Sequence, residues 1–148
     1  MKIIIFAVIP VLLVLAASCG EKRSSITPTP AVITSFKAHF GKEPKARWEI
    51  SGQSSYEASF KQDHHAIKAY FDKNGNWLKT ESELSSSELP SVVVKTIAGA
   101  FNGNSISKVL LIEKSGEATT YRLFLKSGRH LSTVDLTTDG VILNSRIP

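Results

Sequence analysis

The chain carries one pattern twice, and a chain built from two similar halves must fold into an architecture that accommodates the same unit two times. Val32, Ile33, Phe36 and Phe40 are answered 61 positions later by Val93, Val94, Ile97 and Phe101. Further on the offset is 65: Tyr56 is answered by Tyr121, Lys61 by Lys126, His65 by His130, Phe71 by Leu136 and Gly75 by Gly140. The match lies in spacing and chemical type rather than identity, and a drift of about four residues is what a loop absorbs. A lone unit of about 60 residues would bury only about 60% of its unfolded surface, so joining two into one sheet has a physical motive.

Each half has the same internal grammar. Thr29-Pro30 supplies a helix N-cap followed by a proline at the first helical position, where the missing N–H costs nothing. The spacing of Val32, Ile33, Phe36 and Phe40 puts one apolar stripe on a helix that ends near Gly41. Leu89-Pro90 opens a second helix in a similar way, and Gly103 follows its end. After each helix the period changes to two. Tyr56, Ala58 and Phe60 alternate with Glu57, Ser59 and Lys61, and Ile67, Ala69 and Phe71 alternate with Ala66, Lys68 and Tyr70. Asp72-Lys73-Asn74-Gly75-Asn76 and Thr138-Asp139-Gly140 are hairpin turns by composition, and Gly52-Gln53-Ser54 and Ser115-Gly116-Glu117 mark the turns before them. The expected fold is α+β: two tandem helix-plus-four-stranded antiparallel repeats, residues 30–88 and 89–148, forming a joined sheet with the helices on one face. The other face of such a sheet is wet and available for binding.

The N-terminus constrains location. Met1-Lys2, the apolar run Ile3 to Leu15 and the small residues Ala16-Ala17-Ser18 form an export signal over residues 1–18. The run is too short to span a hydrocarbon core comfortably, which takes about 20 apolar residues. Leu15-Ala16-Ala17-Ser18-Cys19 resembles the bacterial lipobox, with Ala16 where Leu is more usual. Cys19 is the sole cysteine, so no disulfide forms within one chain, and lipidation would remove an exposed thiol from an oxidising compartment. Residues 19–29, rich in Ser, Thr, Pro and charge, read as a flexible tether between a lipid anchor and the domain. The residues after Cys19 lack an acidic pair expected of surface export, which favours a periplasm-facing outer-membrane position. Net charge is only +5, and export makes nucleic acid an improbable partner.

Ala46-Arg47-Trp48-Glu49, Tyr56-Glu57-Ala58-Ser59-Phe60, Tyr70 through Leu78 and Glu88-Leu89-Pro90 resemble the PepSY-like proteins, exported bacterial proteins also described as similar to the beta-lactamase inhibitory protein. The resemblance runs from Pro30 to the C-terminus and is closer in the first repeat; the second has no counterpart to Trp48 and carries Val141-Ile142 where the first carries Asn76-Trp77. It implies a non-enzymatic envelope module that inhibits or binds other proteins, and it brings no catalytic residues or cofactor.

The residues themselves agree with that expectation. The serines sit in no nucleophile elbow, and the glutamates show no spacing that separates an acid from a base. Asp72 to Asn76 has glycine at the fourth position, whereas the calcium helix-loop-helix motif needs it at the sixth, so a hairpin turn is expected there. His65 and His130 are repeat equivalents, and a pseudo-twofold arrangement that brought them together would make a metal or small-ligand site between the repeats, with His39 and His64 the other histidines. The stronger expectation is a protein- or peptide-binding wet face carrying Lys68, Tyr70, Arg122 and Phe124, joined by Trp77 beyond the turn, because Tyr, Trp and Arg bury large areas while keeping polar contacts.

Overall fold

The computed structural model describes residues 26–41 and 45–147. The export signal and Cys19 lie outside the described residues. Helix α1, Pro30–Phe40, is followed by strands β1 (Arg47–Ser51), β2 (Ser55–Gln62), β3 (His65–Asp72) and β4 (Trp77–Leu84). A one-turn 3-10 segment, Ser86–Glu88, leads into helix α2 (Ser91–Ala100), and strands β5 (Ser105–Lys114), β6 (Thr120–Ser127), β7 (His130–Thr137) and β8 (Ile142–Arg146) complete the chain. The fold is therefore α+β, with an eight-stranded sheet in the sequential order β1 to β8 and every neighbouring pair antiparallel.

The helix starts follow the cap chemistry only in part. Thr29 accepts a hydrogen bond from Val32 N through its side chain and Pro30 opens α1, as expected. At α2 the cap residue is Pro90 itself, with no side-chain hydrogen bond. The capping box sits one turn earlier instead, where Ser85 and Glu88 bond reciprocally around the 3-10 segment.

Both helices cover the same face of the sheet. Val32 and Phe36 of α1 pack on Trp48, Ala58, Phe60, Ala69 and Phe71. Val93 and Ile97 of α2 pack on Val109, Tyr121, Leu123, Leu125, Val134 and Leu136. The pairings Ala69↔Thr80 and Leu84↔Val109 put both clusters on one side, since Thr80 and Leu84 alternate on β4. Around Phe36 the first cluster is largely aromatic, with edge-to-face contacts to Trp48 at 5.2 Å and to Phe60 at 5.1 Å.

One expectation is corrected at the start of the domain. The tether was expected to reach residue 29, yet Ile26 packs against the first cluster, its N–H donates to the Trp48 carbonyl at 3.3 Å, and Pro28 is buried. The cause is the isoleucine, an apolar side chain in an otherwise polar stretch, which gains more by docking than the segment gains by staying free.

Candidate functional site

Opposite the helices the sheet presents a face made by the alternate residues of all eight strands. Its cations and carboxylates are largely paired along or across strands. Lys68 Nζ meets Glu57 Oε1 at 2.7 Å, Lys79 Nζ meets Glu81 Oε1 at 2.6 Å and Lys108 Nζ meets Glu83 Oε2 at 2.8 Å. Arg122 grips Asp135 with two parallel bonds, Nε to Oδ1 at 2.6 Å and Nη2 to Oδ2 at 3.0 Å. That carboxylate is the main reason the Arg122 guanidinium is held above its ordinary value, against a smaller opposing effect of burial. Burial works to raise the Glu57 carboxyl, but the Lys68 ammonium, helped by the Ser59 and Tyr70 hydroxyls, outweighs it and holds the group below the usual carboxylate range.

Of the five residues expected to bind a partner, Lys68, Arg122 and Phe124 lie on this face with exposed or half-buried side chains. Tyr70 lies there too, but only 9% of it is exposed. The Lys79 ammonium stands 4.2 Å above its ring and its hydroxyl donates to Glu81 at 3.5 Å. Burial first, and the charges of Glu81 and Glu57 next, push its phenol well above the ordinary range. Tyr70 is thus roofed by its own neighbours rather than presented to a partner.

Trp77 is on the other side of the sheet. It pairs with Phe71 across a register shift, packs on the α1 cluster with its ring 5.5 Å from that of His39, and its indole N–H donates to Thr80 Oγ1 at 2.9 Å. The shift between Tyr70 and Phe71 is the reason: it reverses the side on which residues after the Asp72 turn emerge.

The two repeat-equivalent histidines do not meet. His65 opens β3 and His130 opens β7, and three strands intervene, a separation of roughly 19 Å at about 4.8 Å per strand. The sequential strand order causes this, because it sets β3 and β7 apart along one sheet rather than face to face. His65 Nε2 instead lies 2.9 Å from Glu88 Oε1, tying β3 to the segment that leads into α2. Among the described residues no group of three His, Cys, Asp or Glu side chains is placed to hold a metal ion. The loop after Asp72 is a hairpin turn in which the carboxylate accepts from the backbone of Asn74 and Asn76 and from the Asn76 amide, at 2.8 to 2.9 Å.

A groove of about 760 Å³ opens where β2 to β5 present the Lys61 and Lys108 ends of their strands. Lys61, Lys68, Glu81, Glu83 and Lys108 stand around it with Ala66 and Leu110, and Lys45 and Arg47 extend it onto β1. Of these only Lys68 was singled out from sequence. Glu81 and Glu83 were hidden because β4 is polar on both faces, with Lys79, Glu81 and Glu83 alternating with Thr80 and Ser82, so no hydrophobic period marks which side is which, whereas the side of Lys61 and Ala66 follows from the alternation of β2 and β3. A smaller depression of about 130 Å³ contains Arg122, Phe124, Asp135 and Arg146.

A family described as "Putative beta-lactamase-inhibitor-like, PepSY-like" matches residues 54–142. No curated protein matches the chain. Among solved structures, a BLIP-like protein of Bacteroides fragilis is 25% identical, with a TM-score of 0.75 over 82% of this chain and 87% of that one. A DUF2874 family protein of Bacteroides ovatus is 19% identical, with a TM-score of 0.77 over 82% of this chain and 89% of that one. A structure from Bacteroides eggerthii described as "putative periplasmic proteins" is 14% identical, with a TM-score of 0.75 over 82% and 89% respectively. The last two likenesses concern the fold alone. The helix-covered antiparallel sheet and the match over most of its strands lead to one statement: the chain belongs to the PepSY-like, beta-lactamase-inhibitor-like family.

Proposed function

We propose that the protein is a non-enzymatic binding module of the bacterial cell envelope that engages another protein or a peptide on the open face of its sheet. The observation that carries the reading is the groove of about 760 Å³ on that face, where seven strand-borne or strand-flanking charged side chains surround Ala66 and Leu110. A concave surface with an apolar floor and a polar rim is the usual anatomy of an interface. Lys68, Arg122 and Phe124 belong to the same face, and membership of a family named for inhibitor-like proteins points the same way.

Export through residues 1–18 and lipidation at Cys19 complete the proposal, and they would hold the domain at a membrane surface, facing the periplasm. The described residues contain no helix long and apolar enough to cross a membrane. The two halves are proposed to be copies of one unit. In support, a Cβ on Gly75 would lie 2.7 Å from the Ala31 carbonyl oxygen, and one on Gly140 would lie 3.3 Å from that of Val92. Ala31 and Val92 are themselves 61 positions apart, the helix offset of the sequence pattern.

The reading is tested by photo-crosslinking from two positions. A photoreactive residue at Ser59, on the open face, is expected to capture an envelope protein, and Lys68→Glu with Arg122→Glu is expected to abolish that capture. The same probe at Lys37 on the outer side of α1 is expected to capture nothing comparable. Equal capture from both positions, or capture indifferent to the two reversals, overturns the reading.

A further inference from the structure

The groove is lined by more cations than carboxylates. Lys45, Arg47, Lys61, Lys68 and Lys108 line it against two carboxylates, Glu81 and Glu83. Arg47, Lys68 and Lys108 have carboxylate partners in Glu49, Glu57 and Glu83, whereas Lys45 and Lys61 have none within 4.0 Å among the described residues. Counting Glu49, Glu57 and the Lys79 that pairs with Glu81, an excess of two positive charges, those of Lys45 and Lys61, is gathered on one concavity of a chain whose whole net charge is +5. Such focusing raises the local concentration of negatively charged ligands.

The shape of the charge distribution selects among anions. The cations reach from β1 to β5, about 19 Å across four strand spacings. A compact anion such as phosphate needs donors that converge, and among the described residues no buried side-chain polar atom is left without a hydrogen-bond partner to start such a cradle. A flat lipid surface would meet the cations but supplies no row of alternating side chains to the exposed Ala66 and half-buried Leu110 between them. An extended polypeptide meets both features, since alternate side chains about 6.6 Å apart face one side and supply carboxylates to the lysines and apolar groups to the floor.

We infer that this groove receives an extended acidic segment of the partner protein, its carboxylates lying between Lys61 and Lys108 and its apolar side chains against Ala66 and Leu110. The inference rests on the open face being the binding surface, and it adds the chemistry of the occupant. No ion pair has to break for Lys61 to bind, and Lys108 exchanges Glu83 for a carboxylate of the partner.

The test is fluorescence anisotropy with the full chain and two labelled peptides of about eight residues, Glu-Ser-Val-Ser-Glu-Ser-Val-Ser and its counterpart with Gln in place of each Glu, so that the charged (or amide) and Val side chains share one face. The Glu peptide is expected to bind at least about tenfold more tightly at low ionic strength, with the preference shrinking as salt is added. Lys61→Glu with Lys108→Glu is expected to remove the preference. Lys37→Glu with Lys95→Glu, an equal charge change on exposed helix positions, is expected to keep it. Equal affinity for the two peptides overturns the acidic specificity and leaves the open-face reading in force, because that reading has its own crosslinking test. Equal loss in both double variants overturns the inference by showing that overall charge alone governs. Binding to phosphatidylglycerol vesicles that Lys61→Glu with Lys108→Glu abolishes, without binding of the Glu peptide, overturns it in favour of a lipid surface.

Discussion

Tyr70 shows how a residue that looks like a binding anchor becomes part of the scaffold. Alternation correctly put it on the open face, but sequence contains no signal that Lys79, across the hairpin, would fold over its ring. Its phenol is held neutral by burial and by the Glu81 and Glu57 charges, above the ordinary value of 10.0. A group whose pKa is raised on folding contributes its full stability below the unfolded value and loses it as pH climbs toward the folded one. The wild-type melting temperature is therefore expected to fall above about pH 10, and Tyr70→Phe, which has nothing to ionise, to fall less over the same interval. Parallel curves would show that the phenol does not couple to folding. Gly75 is the second residue whose role is local. It has φ +88° and its absent side chain leaves room for the α1 backbone, so Gly75→Ala is expected to cost about 3 kcal/mol by urea titration. Gly52→Ala, at φ +63° with open space around it, is expected to cost about 1 kcal/mol.

At the scale of elements, hydrophobic period and turn chemistry located both helices and the hairpins after Asp72 and Thr138, because those signals are local. What remained hidden was local strain and phase. The β2–β3 turn uses Asp63 and His64 at φ +49° and +69°, a left-handed pair without glycine. The face on which Trp77 emerges depends on a register shift that no propensity encodes. Helix α1 is held mainly by Phe36, which is 5% exposed and touches four aromatic rings, those of Phe40, Trp48, Phe60 and Phe71. Phe36→Ala is expected to cost about 3 to 5 kcal/mol by chemical denaturation, since the surrounding rings cannot close the cavity by small shifts. Phe40→Ala, at the half-buried end of the same helix, is expected to cost clearly less, and equal losses would mean that α1 is anchored along its length rather than at one ring.

For the whole molecule the decisive contact is the β4–β5 junction. Six pairs from Lys79↔Lys114 to Leu84↔Val109 join the two four-strand runs into one sheet. Leu84, although it belongs to β4, packs against the α2 cluster rather than the α1 cluster. The groove opens across this same junction, so the geometry of the candidate site depends on the halves staying registered. If they do, damage to one core must be felt by the other. The two tryptophans, Trp48 and Trp77, both lie in the first half, so their fluorescence reports on that half while far-UV circular dichroism reports on the entire sheet. Leu123 is fully buried in the second half, and Leu123→Ala is expected to cost about 2 to 5 kcal/mol. In a cooperative molecule the fluorescence and dichroism midpoints in urea coincide in the wild type, and Leu123→Ala shifts both downward together. A fluorescence midpoint unmoved by Leu123→Ala, beside a dichroism curve that splits in two, would show that the halves unfold separately and that the groove between them opens before either core is lost.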